Sequence, residues 1–207
     1  MMNILHIDCS PRLPSHSRQL SSGIVSRLLA SHPEARVIRR DLGLEPLPHA
    51  DSDYAFALSS PAALGSDAAT RAVRLSEQLI QEVERADILV IGTPMNNFTV
   101  PSVLKAWIDQ LLRVGRSMGV APTGEKIGLL EDRPVYIGIA SGGVFTGDRA
   151  RQPDFLTPYL TAAFACVGLT SLQFFPLQAT AFLAEDQLAL DRHRLLATMD
   201  TAQAEFG

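Results

Sequence analysis

Three serines, Ser10, Ser15 and Ser17, crowd one short turn, SPRLPSHS, with His16 between the last two. Ser15 or Ser17 can cap the helix that follows, and the free N–H groups and dipole of a helix start hold a phosphate well. A second group is Pro94-Met95-Asn96-Asn97-Phe98. Apolar Met95 and Phe98 beside the amides of Asn96 and Asn97 suit a planar heteroaromatic ring, which wants apolar faces and a few fixed polar contacts. The same types also serve as core residues and turn formers. A third group is Ala140-Ser141-Gly142-Gly143, whose glycines permit close backbone approach to a ligand and unusual dihedrals; a plain tight turn would use them too.

Other chemistries fail on spacing. The dinucleotide pattern G-x-G-x-x-G is absent from the first turn, and so is the Walker pattern G-x-x-x-x-G-K-[ST]. A phosphatase nucleophile at Cys9 would need an arginine six residues on; Ser15 stands there, and Arg12 comes too early. Cys9 therefore reads as a small core residue. His6 lies in a strand and reads as a satisfied core or edge residue, while His16 is placed to approach a phosphate or to be solvated. His32, His49 and His193 show no metal-ligand spacing, so no metal site is expected.

These turns need strands to carry them. Asn3–Asp8 is a short apolar run, and Leu20, Ile24 and Leu28 then repeat at helical spacing. Residues 36–40 read as a weaker strand, and about Asp41 to Ser66 as a long polar, proline-containing stretch. A helix carries Val73, Leu79, Ile80 and Val83. The run Ile88–Ile91 suits a strand covered on both faces. Pro101 is expected as the first residue of a helix bearing Leu104, Trp107, Ile108, Leu111 and Leu112, with an irregular stretch from Gly115 to Leu130. Then come a strand at Val135–Ala140, a helix after Pro158 stopping at Gly168, a strand at Leu172–Phe175 and a helix from Glu185 to about Ala204. Five strands alternating with helices imply an α/β fold with a parallel sheet. In the common five-strand order 2-1-3-4-5, the three turns leave neighbouring strand ends and line one cleft.

Composition agrees. With 18 Lys+Arg against 22 Asp+Glu, the net charge of −4 offers no general nucleic-acid or membrane-surface binding face. Two cysteines suggest reduced thiols. No stretch resembles a linker, signal peptide or membrane span, so residues 1–207 are expected to form one domain, soluble and cytoplasmic.

The set CS…SHS, PMNNFTVPSVLKAWID, ASGG and DFLTPYL…VG resembles the FMN-dependent NADH-azoreductases and their quinone-reductase relatives. The likeness runs from residue 3 to about 175 and is most specific at Pro94–Asp109 and Thr157–Leu160. It implies a flavodoxin-like three-layer sandwich. Ser10 and Ser15-His16-Ser17 would hold the FMN phosphate, Pro94–Phe98 would contact the isoalloxazine, and Ala140–Gly143 would close around its pyrimidine side. It also implies a homodimer with substrate entering at the subunit interface, NADH as donor, and quinones or azo compounds as acceptors. No side chain need act as a catalytic group, because the flavin carries the chemistry. The family's M-Y-N-F has Asn96 for its Tyr here, S-R-G-G lacks its Arg, and Met118 and Val120 replace aromatics after the central helix. These departures bear on substrate range. A flavodoxin-type electron carrier and a cofactor-free binding module are the rival readings.

Overall fold

The computed structural model describes residues 1–59 and 67–200. In chain order its elements are β1 (Asn3–Asp8), α1 (His16–Ser31), β2 (Arg36–Asp41), α2 (Ser52–Ser59), α3 (Asp67–Ala72), α4 (Arg74–Arg85) and β3 (Ile88–Pro94). There follow α5 (Ser102–Leu111), β4 (Met118–Val120), β5 (Lys126–Gly128), β6 (Val135–Ala140), α6 (Thr157–Ala165), β7 (Leu172–Leu177) and α7 (Glu185–Ala197). The main sheet has five parallel strands in the order β2-β1-β3-β6-β7. Setting aside the β4–β5 hairpin, this is the expected order 2-1-3-4-5.

Both faces of the sheet are covered, which is why its central strands are apolar at consecutive positions. Ile4, Ile88, Val90, Tyr136 and Phe175 pack toward Leu20, Ile24 and Leu28 of α1 and Leu188 of α7. Their neighbours Leu5, Ile7, Leu89, Ile91, Ile137 and Ile139 turn to the other face, against Leu79, Ile80 and Val83 of α4, Trp107 of α5 and Phe164 of α6. Trp107 and Phe164 meet edge to face at 6.3 Å, a favoured aromatic geometry. Arg133 closes the end of α4, donating from Nη1 to the carbonyls of Val83 and Ala86 at 2.5 Å each.

The carboxyl ends of β3 and β6 meet α1 through glycine. A Cβ on Gly92 would lie 2.5 Å from Ser21 Oγ and 2.8 Å from the Ser17 carbonyl oxygen, and one on Gly138 would lie 2.9 Å from Leu20 Cγ. These strands have no side chain there because the first two turns of α1 occupy the space, and that closeness sets where α1 begins relative to the turns after β3 and β6.

Four expectations differ in detail. The polar stretch after β2 contains α2, started by Asp51, whose carboxylate accepts from Tyr54 N at 2.8 Å; the helix is too short to show a period. Residues 60–66 of that stretch, and the end of the closing helix expected beyond Asp200, lie outside the described residues. α7 ends at Ala197, before the expected boundary. The irregular stretch holds the β4–β5 hairpin, whose three-residue strands are too short to alternate. Pro101 occupies the N-cap of α5 rather than its first turn.

Gly92→Ala should therefore lower stability by about 1–3 kcal/mol, the usual cost of overpacking. Urea unfolding measures this, and an unchanged midpoint would contradict the close approach of α1.

Candidate functional site

A cleft of about 300 Å³ opens at the carboxyl end of the sheet, lined by Ser10, Pro11, Arg12, Ser15, His16, Ser17, Pro94, Met95, Asn96, Ala140, Gly142 and Thr180. The turns after β1, β3 and β6 thus converge as the strand order requires. Nine of the expected residues stand on this lining: Ser10, Ser15, His16, Ser17, Pro94, Met95, Asn96, Ala140 and Gly142. Asn97, Phe98, Ser141 and Gly143 do not.

At one end lies the start of α1. Ser15 is its N-cap, with extended backbone and Oγ accepting from Arg18 N at 3.3 Å; Ser15 Oγ and Ser17 Oγ are 3.0 Å apart. Ser10 Oγ accepts from Arg12 N at 3.3 Å. All three serines are buried, and the first-turn N–H groups of a helix have no intrahelical acceptor. His16 Nδ1 is buried without a hydrogen-bond partner, although the residue lines the cleft. Exposed Arg12 adds positive charge at the rim.

The opposite wall is a tight hairpin. Asn96 N donates to the Thr99 carbonyl at 2.9 Å, and Thr99 N returns the bond at 3.0 Å. Asn97 and Phe98 between them have φ of 47° and 72°, the double left-handed conformation of a type I′ turn. Asparagine tolerates it, but phenylalanine does so only under strain. Phe98 is exposed, standing beside the cleft rather than in it, and its carbonyl accepts from Phe155 N at 3.0 Å.

The third turn works by room rather than by dihedral freedom: neither Gly142 nor Gly143 has positive φ. A Cβ on Gly143 would sit 2.4 Å from Gln152 Oε1, a side chain that ties two turns together. Gln152 Nε2 donates to Ser141 Oγ at 3.0 Å and lies 3.1 Å from Met95 Sδ. Ser141 is tied up elsewhere too, its carbonyl accepting from Thr180 N at 3.0 Å and Thr180 Oγ1 at 3.1 Å. Among the described residues, the backbone N–H groups of Asn97, Gly142 and Gly143 have no acceptor.

Pro11, Arg12 and Thr180 line the cleft without having been expected there, and Gln152 beside it was not expected either. Thr180 follows β7, so the rule that selected the other turns extends to it. Arg12 shares the serine turn. Gln152 stands in an irregular loop with no pattern to single it out.

Beneath the first turn, His6 Nε2 is 2.9 Å from Ser21 Oγ, which donates to Asp8 Oδ1 at 3.0 Å. These are the residue types of a nucleophilic triad. All three are buried, however, Ser21 bonds the carboxylate directly, and none lines the cleft; the arrangement is structural. Burial alone would raise the Asp8 carboxyl. The His6 imidazole 3.5 Å away, together with bonds from Arg39 and Ser21, outweighs it and holds the group at about 2. Burial and the Asp8 charge push the Cys9 thiol far up, so the cysteine is a core thiol rather than a nucleophile.

The chain matches the flavodoxin-like fold family over residues 2–199. It is 48% identical over 183 residues to an FMN-dependent NADH:quinone oxidoreductase of Pseudomonas fluorescens, covering 88% of this chain and 86% of the relative. A second such protein, from Burkholderia lata, is 46% identical, with 94% and 92% covered. The chain belongs to the flavodoxin-like FMN-dependent NADH:quinone oxidoreductase family. The crystal structure of an azoreductase from Bacillus anthracis shares the fold at a TM-score of 0.83 and 23% identity, covering 100% of both chains. An FMN-dependent NADH-azoreductase from the same species, solved with FMN, has a TM-score of 0.79 at 22% identity over 95% of this chain and 96% of that one. No described helix is long and apolar enough to cross a membrane.

Two outcomes test this geometry. Because the folded-state Asp8 pKa of about 2 lies below its ordinary 3.8, its stabilisation is complete above about pH 4 and is lost as pH falls toward 2. Asp8→Asn should accordingly be less stable at pH 7 and flatten the acid limb of a stability–pH curve; an unaltered limb would contradict the assignment. Phe98→Gly should relieve turn strain and hold or raise stability by about 1 kcal/mol, whereas a loss above 1 kcal/mol would show that the ring is packed.

Proposed function

We propose that this protein is an FMN-dependent NADH:quinone oxidoreductase that also reduces aromatic azo compounds. The observation that carries the reading is the convergence of the three turns on one cleft with unsatisfied polar groups at both ends: the start of α1 with His16 Nδ1 at one, and the N–H group of Gly142 at the other. The relatives' names supply the activity and the donor.

Those residues fit FMN. Ser10, Ser15, His16 and Ser17 would hold the phosphate on the helix dipole, with Arg12 adding charge from the rim. Pro94, Met95 and Asn96 would lie along the isoalloxazine, with Asn97 and Phe98 at its edge, and Ala140, Ser141, Gly142 and Gly143 around its pyrimidine side. When bound, FMN supplies hydride acceptance from NADH and two-electron delivery to a quinone or azo acceptor.

The protein's part is position and electrostatics. The free N–H group of Gly142 on the lining, with those of Asn97 and Gly143 beside it, would stabilise negative charge on a reduced ring held there, with little reorganisation. Gln152 keeps Met95 and Ser141 at fixed separation, so the two walls hold one spacing. With the ring seated on the three turns, NADH and the acceptor would use its exposed face in turn, a ping-pong cycle. No side chain is needed as nucleophile or metal ligand. A homodimer, soluble and cytoplasmic, completes the reading: exposed Phe98, Phe155 and Val120 leave apolar surface for a second copy to cover.

Anaerobic addition of NADH to the FMN-reconstituted protein should bleach the flavin absorbance, and a quinone should restore it with one NADH oxidised per quinone reduced. Bound flavin that NADH leaves oxidised would contradict the proposed activity.

A further inference from the structure

Arg18 is buried and absent from the lining of the cleft, yet it grips the loop that forms one end of it. Its Nε and Nη2 donate to the Ser10 carbonyl at 3.0 and 2.6 Å, while Nη1 and Nη2 donate to the two oxygens of Asp41 at 2.7 and 2.6 Å. Asp8 Oδ2 lies 3.4 Å from Nη1. Gly43 leaves room for this arrangement, since a Cβ there would meet the Ser10 carbonyl oxygen at 2.1 Å and Arg18 Nη2 at 3.0 Å. One planar side chain thus joins the turn after β1, the end of β2 and the start of α1, using several donors of its fork at once.

The charges decide what this side chain does. Asp8 and Asp41 offset the positive charges of Arg18 and Arg39, so the cluster presents little net charge to an anion in the cleft. Its effect on a phosphate must come from geometry. The Ser10 carbonyl, an acceptor that would repel a phosphate, is engaged by the guanidinium behind the loop. With it held, Ser10 Oγ and Arg12 N–H keep their mutual bond at 3.3 Å and their place on the lining.

We propose that Arg18 is a positioning residue for recognition of the cofactor's phosphate: it fixes the Ser10–Arg12 backbone so that the loop selects FMN over the dephosphorylated flavin. This rests on the FMN reading above. Lysine in its place keeps the charge but cannot span the Ser10 carbonyl and Asp41 together.

The test is equilibrium binding of FMN and of riboflavin, each followed by quenching of flavin fluorescence, to wild-type protein, Arg18→Lys and Asp41→Asn, with thermal unfolding of each. Wild type should prefer FMN over riboflavin by 100-fold or more. Arg18→Lys should weaken FMN binding at least ten-fold while changing riboflavin binding less than two-fold. Asp41→Asn, which leaves Arg18 facing Asp8, should shift the ratio the same way by a smaller factor and serves if Arg18→Lys does not fold. Variants that keep the wild-type preference, or lose both flavins in equal proportion, overturn the positioning role while leaving the FMN reading intact. A wild-type protein without a preference for FMN overturns the phosphate reading and this inference with it.

Discussion

A carboxylate buried at the end of a central strand must be neutralised by whatever surrounds it, or the fold bears a large desolvation penalty. Here that group is Asp8, fully buried where β1 ends. β2 provides Arg39 and α1 provides Arg18 and Ser21, with His6 two positions back on the same face of β1. The elements that satisfy the charge are the ones that frame the first turn. Arg18 extends the set to Asp41 and the Ser10 carbonyl, so the serines of the cleft are held from behind by the same interactions that stabilise the strand end.

The far side of the cleft is built by other means. Gln152 bridges Met95 and Ser141, and Thr180 fastens Ser141 to the end of β7. Phe98 is carried on a left-handed turn that a glycine would occupy without strain. Strain kept beside a cleft is affordable because the sheet beneath, apolar on both faces, supplies the stability. The two walls therefore differ: a buried charge cluster supports the phosphate end, and a strained hairpin with one amide bridge supports the other.

Much of this was legible in the residues. The run Ile88–Ile91 announced a strand covered on both faces, and Leu20, Ile24 and Leu28 a helix against the sheet; alternation of elements then implied a parallel sheet, with its order the common one for five strands. Ser15 as a cap, Cys9 as a core thiol and nine lining residues came from local chemistry and topology together. What escaped depends on contacts distant in sequence or on elements too short for a period. Gln152 acts through Met95 and Ser141, Arg18 through Asp41 and Ser10, and neither has a neighbour that marks it. Gly142 and Gly143 were expected to give close approach and unusual dihedrals; neither has positive φ, and what Gly143 provides is space for Gln152. The β4–β5 hairpin and α2 lack the length for alternation or helical spacing to appear.

The most direct measurement is a crystal structure of the protein with FMN. The phosphate should lie within hydrogen-bond distance of Ser10, Ser15, Ser17 and the first N–H groups of α1. The isoalloxazine should lie between the Pro94–Phe98 and Ala140–Gly143 turns. Flavin bound in the separate groove between Arg149 and Arg194, with the serine turn empty, would contradict it.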